Sequence, residues 1–165
     1  MSRGAATERI RGVTPMPQSY TCLHYHFAFS TQHRLPTITP NIKTRLWEYL
    51  GGIVKGAGGI PIQIGGMADH VHLLVTLRQE PALASFMRDL KAASSGWIHD
   101  TFPDAADFWW QTGYGAFSVS HSALDDVKRY IVNQEEHHKS MTYQDEFRAF
   151  LTKHGIKFDE KYLWE

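Results

Sequence analysis

Two short stretches carry the residue types that could cut a phosphodiester. Tyr130-Ile131-Val132-Asn133-Gln134 places a phenolic hydroxyl one helical turn before a carboxamide, and His137-His138 follow. His70-Val71-His72 places two imidazoles on one face wherever the chain is extended. A tyrosine oxygen is a nucleophile once its proton is lost, and imidazole nitrogens with an amide oxygen can hold a divalent ion against a phosphate. Each part also has an ordinary reading. The same spacing recurs at His24-Tyr25-His26 in a chain with ten histidines, so the pair equally describes the wet side of a sheet. Tyr130 equally describes a helix-edge tyrosine with a packed ring and a wet hydroxyl. Gln134 alone is an ordinary surface residue of a helix.

For these residues to meet, a strand and a helix must come together. Residues 20–30 alternate, with Leu23, Tyr25, Phe27 and Phe29 on one side and His24, His26, Ala28 and Ser30 on the other, which predicts a half-buried strand. Pro36 and Pro40 mark a loop, and Asn41 is a candidate cap for a helix carrying Ile42, Leu46, Tyr49, Leu50 and Ile53. Residues 60–67 and 70–77 predict two strands around the turn Ala68-Asp69, with Val71, Leu73 and Val75 opposite the two histidines. Pro81 suits the first turn of a second helix through Leu83, Phe86, Met87, Leu90 and Ile98. Residues 116–120 suit a short last strand, preceded by a Gly113-Tyr114-Gly115 turn that has room for a hinge. Ser122 with Asp125 matches a capping box opening a helix over 124–139. Leu124, Val127 and Ile131 form its apolar stripe, and Tyr130, Gln134 and His137 the adjoining one. A further helix covers 142–154.

That order predicts an α+β fold, a ferredoxin-like βαββαβ sandwich with an antiparallel sheet, helices on one face and C-terminal helices carrying the tyrosine. The first and third strands would lie at the centre, gathering His24, His26, His70 and His72 on an open sheet face. Residues 1–17 read as a flexible tail and 18–165 as one domain.

Composition narrows the class. Seventeen basic residues balance seventeen acidic ones, which argues against a protein that coats DNA non-specifically. The single Cys22 excludes an internal disulfide and fits a reducing compartment. Neither a signal peptide nor a membrane-length apolar run is present, so the expectation is a cytoplasmic protein with no membrane partner.

The residues as a set resemble the single-tyrosine HUH transposases of insertion sequences (the IS200-like type), including their REP-associated tyrosine transposase relatives. The resemblance runs from Tyr20 to Glu165 through YHFAFSTQHR, ADHVHLLV, WQTGYGAFSVSHS, VKRYIVNQEEHH and HGIKFDEKYLWE. It implies Tyr130 as the catalytic tyrosine and His70, His72 and Gln134 as ligands of Mg²⁺ or Mn²⁺. It implies a homodimer acting on single-stranded DNA with imperfect hairpins, through a covalent 5′-phosphotyrosine, and no small-molecule substrate. His26, His137, Arg34, Lys91 and Arg129 are then candidates for orienting a ligand or contacting DNA.

Three other readings stand beside this one. A domesticated REP-associated endonuclease keeps the chemistry and acts on repeated palindromes. A non-catalytic nucleic-acid module could use the same core as a stacking platform. A zinc hydrolase could be built from the clustered histidines.

Overall fold

The computed structural model describes residues 19–165; the tail expected over 1–17 lies outside them. Strands β1 (His24–Ser30), β2 (Ile60–Gly66), β3 (His70–Thr76) and β4 (Gly115–Val119) form one antiparallel sheet in the order β2-β3-β1-β4. Helices α1 (Pro40–Gly56) and α2 (Leu83–Thr101) are the two crossover helices of the βαββαβ pattern. The alternation read from the sequence is the one that packs. Phe27, Phe29, Val71, Leu73 and Val75 meet Ile42, Leu46, Leu50 and Val54 of α1 and Phe86, Met87, Leu90 and Ile98 of α2. Each such fully buried side chain contributes roughly 1.5–3 kcal/mol of apolar burial.

The other sheet face is not open, as the sequence reading expected, but covered. Helices α3 (Leu124–Val132), α4 (Gln134–His137) and α5 (Tyr143–Lys153) lie over it, and His70 and His72 have no exposed surface. The reason is the apolar stripe of α5, whose Tyr143, Phe147 and Leu151 need cover and find it against Ala28 and Phe117 of the sheet. The short α6 (Glu160–Leu163) follows, and Trp164 beyond it has the Arg34 and Arg148 guanidinium groups each 5.3 Å from its ring centre.

Several local expectations shift. Pro40 is the first residue of α1 and Thr39 occupies the cap position in extended backbone, so Asn41 lies inside the helix. Pro81 precedes α2, which begins at Leu83. Ser122 does not cap α3; it sits in a 3₁₀ turn, His121–Ala123, with its hydroxyl 3.1 Å from that of Ser120. The helix expected over 124–139 breaks at Asn133, which leaves helical geometry at φ −91°, ψ 20°. The glycine turn before β4 is fastened, because the Lys91 ammonium donates to the carbonyls of Gln111, Thr112 and Gly113 at 2.7, 3.1 and 2.7 Å. A side chain at Gly115 would meet Phe147 and Phe117 at 2.7 and 2.8 Å, so this glycine admits α5.

Candidate active site

The centre of the sheet supplies the imidazoles. In the β1–β3 register His70 lies opposite Ser30 and His72 opposite Ala28, small residues that leave space above them. Asp69, in the turn that opens β3, holds His70 Nδ1 at 2.6 Å. His26 of β1 stands diagonal to His72 and holds its Nδ1 at 2.9 Å from its own Nε2. Both ligand candidates thus have their inner ring nitrogen engaged and Nε2 turned up toward the helices, the way a partner on one ring nitrogen orients the other toward a metal. Burial first, and then the neighbouring His72, push the His26 imidazole down to about 3, so it is neutral at physiological pH. Burial likewise holds His72 below its ordinary value.

The helices bring the rest. Ile131 anchors α3 against β2, where Gly65 lacks a Cβ that would otherwise lie 2.8 Å from the Ile131 Cγ2 and 2.9 Å from its carbonyl oxygen. That close seat sets Tyr130 and Gln134 over β3. Gln134 is buried, with Oε1 3.0 Å from His70 Nε2. Tyr130 is half-buried, its hydroxyl 3.1 Å from His137 Nε2 and hydrogen-bonded to Glu146.

Glu146 of α5, absent from the sequence reading as a site residue, is the hub. It is 2% exposed. Its Oε2 lies 3.1 Å from His72 Nε2, 3.1 Å from His138 Nε2 and 3.6 Å from His70 Nε2, while Oε1 accepts from Tyr130 and, at 3.1 Å, from Gln134 Nε2. Burial raises its pKa, but hydrogen bonding and charge from His72, then the Tyr130 hydroxyl, outweigh that and hold it well below the usual carboxylate range. Burial first, and then this carboxylate, push the Tyr130 phenol well above its ordinary value, so the hydroxyl keeps its proton at rest. One signal in the sequence points to Glu146. It sits at helical spacing beside Tyr143, Phe147 and Phe150, and a carboxylate on an apolar stripe must find partners.

His70, His72, His138 and Glu146 each offer a ligand atom, all within 4.8 Å of one another. The other candidates divide. Arg34 lines a cleft of roughly 790 Å³ beside this cluster with Asp69, His138, Lys139 and Tyr143, and its Nη1 is buried with no hydrogen-bond partner. Lys91 lies on α2, across the sheet, with its ammonium committed to the three loop carbonyls, and is not free for a phosphate. Arg129 is exposed and paired with Asp126.

The chain is similar to known proteins in the region that holds these residues. A family model described as an IS200-like transposase matches residues 19–134. The ISDra2 transposase TnpA of Deinococcus radiodurans is 26% identical over 119 residues, which are 69% of this chain and 85% of that protein. Two solved structures share the fold. One is a candidate transposase of Deinococcus radiodurans, 24% identical over 72% of this chain and 96% of its own, with a TM-score of 0.57. The other is a REP-associated tyrosine transposase bound to a REP hairpin, 13% identical over 74% of each chain, with a TM-score of 0.53. His138 and Glu146 lie beyond the last residue of the family match.

Proposed function

The chain belongs to the IS200-like transposase family, and from that premise we propose that it cleaves and rejoins single-stranded DNA at hairpin-flanked sites through a 5′-phosphotyrosine on Tyr130. One observation carries the reading. The phenol, two sheet imidazoles and the Gln134 carboxamide of a single chain meet around one carboxylate, with the amide oxygen turned to His70.

The donors suit a divalent ion. Asp69 accepts a hydrogen bond from His70 Nδ1–H, and in the neutral imidazole Nε2 then offers a lone pair toward the Gln134 oxygen at 3.0 Å. Two lone pairs at that distance call for a proton or a cation between them. His70, His72 and Gln134 would hold Mg²⁺ or Mn²⁺, which when bound supplies Lewis acidity at the scissile phosphate. The remaining work falls to the chain. Glu146 and His137 orient the Tyr130 hydroxyl, and one of these two neighbours receives its proton as the oxygen attacks. The tyrosine oxygen bonds to phosphorus, the bond to the 3′ oxygen breaks, and that oxygen takes up a proton, in balance with the one the phenol released, and leaves as a hydroxyl. A phosphodiester is exchanged for a phosphodiester, so a second strand's 3′-hydroxyl can reverse the step without ATP.

The cleft carrying Arg34 and Lys139 is the proposed path for the strand, with Arg34 against a phosphate. The REP-hairpin complex of the structural neighbour supports hairpin DNA as the partner. The reading includes a homodimer, each protomer keeping its own tyrosine, and a cytoplasmic location. No helix among the described residues is long and apolar enough to cross a membrane.

The test is incubation with Mn²⁺ and labelled single-stranded hairpin DNA. A denaturation-resistant protein–DNA adduct is expected, and none with Tyr130→Phe. An adduct that survives Tyr130→Phe would remove the nucleophile. DNA binding with no adduct under any divalent ion would favour the non-catalytic module, and a tightly held zinc with hydrolysis tolerant of Tyr130→Phe the hydrolase.

A further inference from the structure

We propose that the ion site of this chain is a three-imidazole, one-carboxylate centre, formed by Nε2 of His70, His72 and His138 and Oε2 of Glu146, which selects Mn²⁺ or a later transition ion over Mg²⁺. The inference deepens the reading above, because it names further ligands and the ion class of the same site. Two of its ligands come from α5 and the turn before it, outside the segment that matches the family.

Ring orientation and spacing carry the argument. His138 Nδ1 is 2.7 Å from the Met141 carbonyl oxygen, which can only accept. Nδ1 is thus engaged by an outer oxygen, and Nε2 is the ring atom directed inward, 3.1 Å from Glu146 Oε2. His70 repeats the pattern, with Nδ1 on the Asp69 carboxylate and Nε2 directed at Gln134 Oε1, 3.6 Å from Glu146 Oε2. Two imidazoles from different parts of the fold thus have Nδ1 engaged by an outer oxygen and Nε2 directed inward at the same carboxylate. His72 joins them with Nε2 3.1 Å from the same Oε2, its Nδ1 held by His26.

Spacing agrees. Ligands about 2.0–2.3 Å from one ion stand about 3–4.5 Å apart, and these four atoms lie within 4.8 Å of one another. The donor set then decides the ion. Three nitrogens and one oxygen suit Mn²⁺, Co²⁺ or Zn²⁺, whereas Mg²⁺ favours oxygen and water. Gln134 Oε1 stands alongside as a further oxygen donor. Glu146 does a second thing from the same position, because its Oε1 holds the Tyr130 hydroxyl while Oε2 faces the ligand nitrogens. One carboxylate therefore sets the distance between ion and nucleophile.

The experiment measures ion binding with no DNA present, by Mn²⁺ electron paramagnetic resonance and by Co²⁺ visible absorption. It uses the full chain in a Cys22→Ala background, since Cys22, His24 and His121 form a separate group of potential ligands. Mn²⁺ is expected to bind about tenfold or more tightly than Mg²⁺. His138→Ala and Glu146→Gln should each weaken Mn²⁺ binding by about tenfold or more and alter the Co²⁺ bands, while Tyr130→Phe leaves both unchanged. Glu146→Asp keeps the carboxylate and should recover part of the affinity, and it serves also if Glu146→Gln fails to fold. Equal affinity for Mg²⁺ and Mn²⁺, or native Mn²⁺ binding by both His138→Ala and Glu146→Gln, would overturn the proposal and leave a protonated His138–Glu146 pair in its place. Failure of the phosphotyrosine reading looks different, since it removes the adduct and leaves Mn²⁺ affinity untouched.

Discussion

Buried imidazoles behave unlike exposed ones because charging them means giving up water. His26 is 3% exposed, and burial with the adjacent His72 keeps it at about 3. In the unfolded chain the same group takes a proton near 6.5. Between those values the unfolded state binds more protons, so this part of the stability is complete above about pH 6.5 and is lost as pH falls toward 3. At pH 5 the loss from His26 reaches about 2 kcal/mol, and His72, lowered by burial, adds in the same direction. Melting temperature should therefore drop between pH 7 and pH 5, and His26→Gln should flatten that dependence; an unchanged slope would place the sensitivity elsewhere. At this scale residue types and spacing were informative for Tyr130, His70, His72 and Gln134. For Glu146 they offered only a carboxylate on an apolar stripe and not its partners, which come from 8 to 76 positions away, and no local pattern encodes such meetings.

Elements position these residues through one close seat. Helix α3 lies on β2 only because Gly65 leaves room for Ile131, and the Ile131 backbone oxygen would stand 2.9 Å from an added Cβ. Gly65→Ala must lift the helix or shift the strand. We expect it to cost about 1–3 kcal/mol and to lower the rate of adduct formation by roughly tenfold or more, since a nucleophile displaced by about 1 Å loses far more rate than stability. Chemical denaturation and single-turnover cleavage check the two effects separately; a stable variant with native cleavage would show that the seat is not what places Tyr130. Strands and the two crossover helices were legible because each has a strong period and one buried face. The break at Asn133 was not, because the residues on either side continue the helical stripe, and tertiary packing alone bends the chain there. The covered sheet face escaped the sequence for a related reason: the βαββαβ order leaves it free, and only the docking of α5 closes it.

At the scale of the whole molecule, tyrosine, imidazoles and carboxylate all come from one chain. Mixing a Tyr130→Phe chain with a His70→Ala/His72→Ala chain should therefore yield no adduct, even if the two pair. Restored cleavage in the mixture, measured on denaturing gels, would mean that protomers exchange the α3 helix and that the single-chain arrangement is not the working one. The amino-acid sequence by itself determined the sheet and its faces, the placement of two imidazoles on one side of β3, and a tyrosine at the edge of an amphipathic helix. These follow from periods of two and 3.6, which are local. Only the tertiary structure decided that a carboxylate of α5 joins the sheet imidazoles to the phenol, that Lys91 is spent on a loop, and that the site lies under helices. Such choices depend on which surfaces bury one another, and burial is a property of the folded whole.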